Sequence, residues 1–194
     1  MIRLGLTGSI GMGKSATATM FREAGIPVHD SDAAVHRLYA GAAAPLIEAA
    51  FPGTVKDGVV DRALLGAVVL NNDAAMKKLE SIVHPLVTET TLNFLATAEK
   101  AGHRLVVLDV PLLFEVGRDR DCDAIVVVSA DPSVQRERVL ARPGMTEAKF
   151  QAIVARQIPD SEKRRRAHIV IDTGRGFEAA RRAVKDVIRT LAGR

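Results

Sequence analysis

Gly8-Ser9-Ile10-Gly11-Met12-Gly13-Lys14-Ser15 is the stretch that decides the fold. It matches G-x-x-x-x-G-K-S/T and stands between a short apolar run, Ile2 to Thr7, and a helical pattern, Ala16 to Ala24, closed by Gly25. Strand, glycine loop and helix in that order turn backbone N–H groups and the positive helix end towards a phosphate anion. Gly8, Gly11 and Gly13 let the backbone come close, and Lys14 brings a mobile charge to the β- and γ-phosphates. Ser15 offers its hydroxyl to Mg²⁺, a hard cation that takes oxygen ligands. Met12 and Ala16 complete the stretch expected to bind ATP.

Outward from the loop, a second strand, Ile26 to His29, runs into Asp30-Ser31-Asp32, and Asp32 opens a helical pattern, itself a candidate helix cap. This strand is expected beside the first, which brings a carboxylate near the γ-phosphate, where an acceptor hydroxyl can lose its proton. From Pro45 to Gly102 the pattern is mainly helical, with turns at Pro52-Gly53 and Asp57-Gly58, caps at Asp61 and Asp73, and Pro85 as an interruption. Leu105 to Asp109 and Ala124 to Val128 are wholly apolar runs of the kind that form buried parallel strands. Asp131-Pro132 starts a helix expected to reach about Arg142, and Thr146 caps another. Ile169 to Asp172 is a fifth strand, and Phe177 to Leu191 a closing amphipathic helix.

Strands alternating with helices imply an α/β fold, three layers around a five-stranded parallel sheet, with ligands at the carboxyl ends of the strands. The expected division is a core of residues 1–31, 103–135 and 167–194, a helical substrate-binding insertion over 32–102, and a lid over 136–166.

Composition narrows the class. The 194 residues suit one compact domain, and no apolar stretch approaches the roughly 18 residues of a membrane-spanning helix. The single Cys122 can form no internal disulfide, which suits a reducing cytoplasm. The excess of 27 Lys and Arg over 23 Asp and Glu is local: Arg136 to Arg166 carries 9 basic and 4 acidic residues. With one Tyr and no Trp, that patch suits a small phosphorylated ligand better than nucleic acid. No N-K-x-D follows a late strand, which argues against GTP, and Asp109 is followed by Val110-Pro111 instead of a water-activating glutamate. Asp109 ends its apolar strand where it can hold Mg²⁺ beside Ser15, or simply cap the strand.

Together, Leu6-Thr7-Gly8 leading into the glycine loop, Asp30 and Asp32, His84-Pro85, Asp109-Val110-Pro111-Leu112-Leu113-Phe114-Glu115, and Gln157 before a basic helix resemble the dephospho-coenzyme A kinase family along nearly the whole chain. The resemblance implies transfer of a phosphoryl group from ATP to the ribose 3′-hydroxyl of dephospho-coenzyme A, the last step of coenzyme A synthesis. It implies Asp32 as the base, Leu112, Leu113, Phe114 and Glu115 lining the acceptor side, a helical substrate subdomain and a mobile lid. His84 is a further candidate for substrate contact, with a structural role as its alternative. Arg138 and Arg142, four apart on one expected helix face, are candidates to close over the γ-phosphate, Arg142 foremost. The chain departs from the family pattern at Met12, at Ala16, at His168 and in Asp172-Thr173-Gly174, a loop expected near the adenine. Two other readings stay open: a small-molecule kinase with another acceptor (nucleoside, nucleotide or sugar acid), and an ATP-dependent RNA-binding or regulatory module. A monomer or small homo-oligomer is expected.

Overall fold

The computed structural model describes residues 1–193. In chain order the elements are β1 (Ile2–Thr7), α1 (Lys14–Glu23), β2 (Val28–Asp30), α2 (Ser31–Tyr39), α3 (Ala43–Ala50), β3 (Val55–Lys56), β4 (Val59–Val60), α4 (Arg62–Val69) and α5 (Asp73–Lys100). There follow β5 (Leu105–Asp109), β6 (Ala124–Ser129), α6 (Pro132–Leu140), α7 (Glu147–Val154), α8 (Asp160–Arg166), β7 (Ile169–Asp172) and α9 (Phe177–Ala192).

Five strands form a parallel sheet in the order β2-β5-β1-β6-β7. Every residue of β5 and β6 is buried, as their unbroken apolar composition requires of central strands. The expected adjacency of β2 to β1 does not hold: β5 lies between them, with Leu6 opposite Asp109 and Thr7 opposite Val127. The metal-site candidate Asp109 is therefore next to the strand that feeds the glycine loop. Which parallel strands pair depends on long-range packing, and nothing local to β2 encodes it.

The chain divides into two compact units, residues 1–29 with 98–193, and Asp30–Thr97. In the first, Leu4, Leu6, Val107, Val126, Val128 and Ile171 meet Phe21 of α1 and Ala180, Val184, Val187 and Ile188 of α9. The buried positions of α9 recur at four, seven and eight residues, so one stripe of this helix covers the sheet. Full burial of each Val, Leu, Ile or Phe side chain among them contributes about 1.5–3 kcal/mol. The second unit has its own cluster, with Ile47, Phe51, Leu65, Leu79, Val83 and Val87 at its centre.

Local signals set most of the boundaries. Gly25, at φ 77°, closes α1, with Ile26 N–H donating to Phe21 O at 3.0 Å. Asp61 caps α4 through the Ala63 and Leu64 N–H groups, Asp131 caps α6 ahead of Pro132, and Thr146 caps α7. Three expectations need correction. Asp73 lies inside α5, whose entry is held by Asn72 Oδ1 accepting from Ala75 N–H at 3.0 Å. Pro85 does not end the helix: α5 runs 28 residues through it, with Leu79, Val83 and Val87 buried on one face. Packing of that face outweighs the roughly 3 kcal/mol that an interior proline costs. Within the segment read as helical, Asp57-Gly58 turns a small antiparallel hairpin, β3 with β4, both turn residues having positive φ.

Candidate active site

The glycine loop is held from beneath and from the side before any ligand is considered. A Cβ on Gly8 would stand 2.4 Å from Val128 Cγ2 and 2.8 Å from Val128 O, so β6 leaves no room for a side chain. At Gly11 both the backbone (φ 78°) and the space exclude one, since a Cβ would meet Val139 Cγ2 at 2.5 Å and Gln135 O at 2.9 Å. Closeness to phosphate was the sequence argument for these glycines; packing against β6 and α6 is a second reason for two of them. Met12 is not a ligand-facing side chain. It is 2% exposed, its Sδ accepts from Ala130 N–H at 3.1 Å, and its carbonyl accepts from Thr173 Oγ1 at 2.8 Å. Gly13, in a left-handed conformation, caps α1, leaving Lys14 and Ser15 as its first residues.

Lys14 Nζ donates to Asp109 Oδ1 at 2.6 Å, with the two side chains 16% and 3% exposed. The motif lysine thus lies against the carboxylate that ends β5. Thr7 Oγ1 donates to Pro111 O at 2.9 Å, joining the ends of β1 and β5. The Ser15 side chain is exposed and Ala16 partly buried, both in the first turn of α1. A Ser hydroxyl and an Asp carboxylate, both hard oxygen donors flanking Lys14, fit Mg²⁺, which takes one or two protein oxygens and completes its shell with phosphate and water. No group of three or more His, Cys, Asp or Glu among the described residues forms an all-protein metal cage.

The loop after β5 turns largely inward. Leu113 and Phe114 are 0% and 5% exposed: Leu113 lies against Gly5 of β1, and the Arg166 guanidinium stacks over the Phe114 ring at 4.2 Å. Glu115 turns inward, accepting from Ile158 N–H at 2.9 Å and pairing with the fully buried Lys163 at 2.8 Å. Of the quartet Leu112 alone is exposed. Burial acts to raise the Glu115 pKa, but bonds from Lys163 and Ile158 N–H outweigh it and hold the carboxyl below its ordinary range. Within the basic run Lys163 to Arg166, Lys163 is the member that turns inward; Arg164, Arg165 and Arg166 remain outside.

Arg138 does not point freely over the loop either. Its guanidinium donates to Thr173 Oγ1 at 3.0 Å and to Thr173 O at 2.8 Å, since the loop after β7 offers two acceptors that match a planar fork. Helix α6 ends at Leu140, so Arg142 sits in the turn beyond it and not on the same helix face; its side chain is exposed and makes no ion pair among the described residues. Thr173, which also bonds Met12 O, is a hub that local sequence pattern does not reveal, because its partner lies 161 residues away. His168, one of the departures from the family pattern, serves as an acceptor: its Nδ1 receives Ile125 N–H at 3.2 Å.

In the second unit the two aspartates divide their labour. Asp30, not Asp32, caps α2, its Oδ1 accepting from Ala33 N–H at 2.9 Å. Asp32 is exposed in the first turn, with no hydrogen bond to its carboxylate among the described residues. His84 is exposed on α5 immediately before Pro85.

Comparisons with known proteins agree over the full length. The profile of the dephospho-CoA kinase family matches residues 2–178. A dephospho-CoA kinase of Mesorhizobium japonicum is 64% identical over 193 residues, covering 100% of this chain and 98% of its own. The crystal structure of TT1252 from Thermus thermophilus superposes with a TM-score of 0.86 at 35% identity, over 98% of this chain and 97% of that one. A Campylobacter jejuni dephospho-CoA kinase shares the fold, with a TM-score of 0.67 at 22% identity, over 97% of this chain and 96% of its own. With a phosphate loop built on β1, a lysine against the carboxylate of β5 and family identity from end to end, the chain belongs to the dephospho-CoA kinase family.

Proposed function

We propose that the protein transfers the γ-phosphoryl group of ATP to the ribose 3′-hydroxyl of dephospho-coenzyme A, giving coenzyme A and ADP. The observation that carries the mechanism is the division between Asp30 and Asp32. A carboxylate already satisfied by a helix cap is a poor base, whereas the Asp32 oxygens are uncommitted among the described residues. Asp32 takes the proton from the acceptor hydroxyl as its oxygen attacks the γ-phosphorus, and the bond to the β-phosphate oxygen breaks. The glycine-loop N–H groups and Lys14 hold the phosphates, and Arg142, uncommitted in the turn after α6, is the cation for charge on the transferring group. Ser15 and Asp109 would hold Mg²⁺, which supplies positive charge to the phosphate oxygens. Leu112 is the exposed apolar group left for the acceptor, with His84 as a second candidate contact.

Charge in segment 136–166, the proposed lid, is largely spent within the protein: Arg136 on Glu147, Arg138 on Thr173, Lys163 on Glu115 and Arg166 on Asp119. This favours a small-molecule kinase over the RNA-binding reading. The test is ADP release from Mg²⁺-ATP with and without dephospho-coenzyme A, with the product weighed by mass spectrometry. Acceptor-dependent release, a gain of one phosphate and a loss of at least about 10²-fold in Asp32→Asn are expected. Turnover with a different acceptor only would overturn the substrate, and full activity of the variant would overturn the base.

A further inference from the structure

Two glutamines that flank residues 136–156 converge on one residue of the phosphate loop. Gln135, on α6 and 8% exposed, donates its Nε2–H to Ile10 O at 2.7 Å. Gln157, in the turn after α7, accepts the Ile10 N–H on its Oε1 at 3.1 Å. The next residue, Ile158, is itself fixed by Glu115. The two bonds act on different peptide planes. Ile10 N–H belongs to the Ser9–Ile10 unit, whose carbonyl also accepts from Met12 N–H at 3.1 Å. Ile10 O belongs to the Ile10–Gly11 unit. A trans peptide carries its C=O and N–H on opposite sides, and no cis bond is present among the described residues. By drawing Ile10 O towards itself, Gln135 turns the Gly11 N–H the other way, and that N–H makes no hydrogen bond among the described residues.

We infer that Gln135 and Gln157 are positioning residues for phosphoryl transfer, locking the two peptide planes on either side of Ile10 so that the Gly11 N–H is aimed at the phosphate chain of the nucleotide. The inference rests on the proposed kinase reading for its turnover arm only. Gly11 reinforces the lock, since α6 packs so closely on it that loop and helix keep one relative position. A backbone donor aimed in advance acts on developing charge without reorganising at the moment of transfer. Losing the aim therefore affects the transition state more than nucleotide binding.

The experiment compares wild type with Gln135→Met and Gln157→Met, which keep side-chain length and remove the polar amide. Expected are a fall in kcat of about tenfold or more in each and a change in ADP Kd of less than about threefold. By amide hydrogen exchange, Ile10 N–H is expected to lose protection in Gln157→Met and to keep it in Gln135→Met. A kcat within about twofold of wild type in both variants, or an ADP affinity that falls as far as kcat, overturns the inference. So does a lowered melting temperature with kcat unchanged, which would make the glutamines struts of the fold alone. If wild type fails to turn over dephospho-coenzyme A, the kinase reading falls, while ADP binding and Ile10 exchange still judge the lock.

Discussion

Single residues of the same type have unlike duties here, and substitution separates them. Asp30→Asn keeps most of the cap on α2 and is expected to change stability by well under 1 kcal/mol, since Asn and Asp are near-equal caps. Asp32→Asn is expected to leave the melting temperature unchanged and to remove turnover, so thermal melts paired with ADP release distinguish the two. Gly8→Ala places a methyl group into Val128, side chain and carbonyl alike. Overpacking of that kind costs roughly 1–3 kcal/mol, measurable by urea unfolding. Burial, with the negative charge of Asp121, pushes the Cys122 thiol up to about 11. Alkylation of this cysteine is expected to be slow at pH 7.5 and to rise with pH beyond the point at which an ordinary thiol has levelled off.

At the scale of elements, the segment 157–163 is tied to the ends of three strands: through Gln157 to the loop after β1, through Glu115 to the loop after β5, and through Asp160, which accepts from Ser129 Oγ at 2.7 Å, to β6. Lys163→Met strands Glu115 beside a protein interior and is expected to cost about 3–5 kcal/mol. The double variant Glu115→Gln with Lys163→Met recovers part of that loss, as chemical denaturation of the set would show. Because the folded Glu115 titrates below its unfolded value, its contribution is present above the unfolded pKa and fades as pH falls through the folded one. Acid unfolding of the double variant is therefore expected to be less steep than that of wild type. Much at this scale was legible in the sequence. The glycine loop, the apolar runs of β5 and β6, and the caps Asp61, Asp131 and Thr146 are signals carried by neighbours in the chain. The position of β5 between β1 and β2, the inward turn of Glu115 and Lys163, and the glutamine bonds to Ile10 all depend on partners tens to over a hundred residues away. Local pattern carries no record of those distances. Pro85 reads as an interruption because local propensity carries no account of the packing of Val83 and Val87 beside it.

For the molecule as a whole, two hydrophobic clusters serve two units of the chain. Ile47, 0% exposed in the second, has no share in the sheet that carries the phosphate loop. Ile47→Ala is expected to cost about 2–5 kcal/mol locally. Hydrogen exchange should then accelerate over residues 30–97 by a larger factor than in β5 and β6, and equal acceleration everywhere would mean that the clusters melt as one. Among the described residues no helix is long and apolar enough to cross a membrane.

Pinning Gln135 and Gln157 to one residue also makes the chain between them a closed loop in the polymer sense. The entropy of closing a flexible loop grows only with the logarithm of its length, about 0.6 kcal/mol for each doubling. Residues added at the exposed Pro143-Gly144 turn therefore draw little from the stability of the two anchors. The span between the glutamines is free to drift in length over evolutionary time, or to accept an inserted reporter, while the bonds at its roots stay where they are.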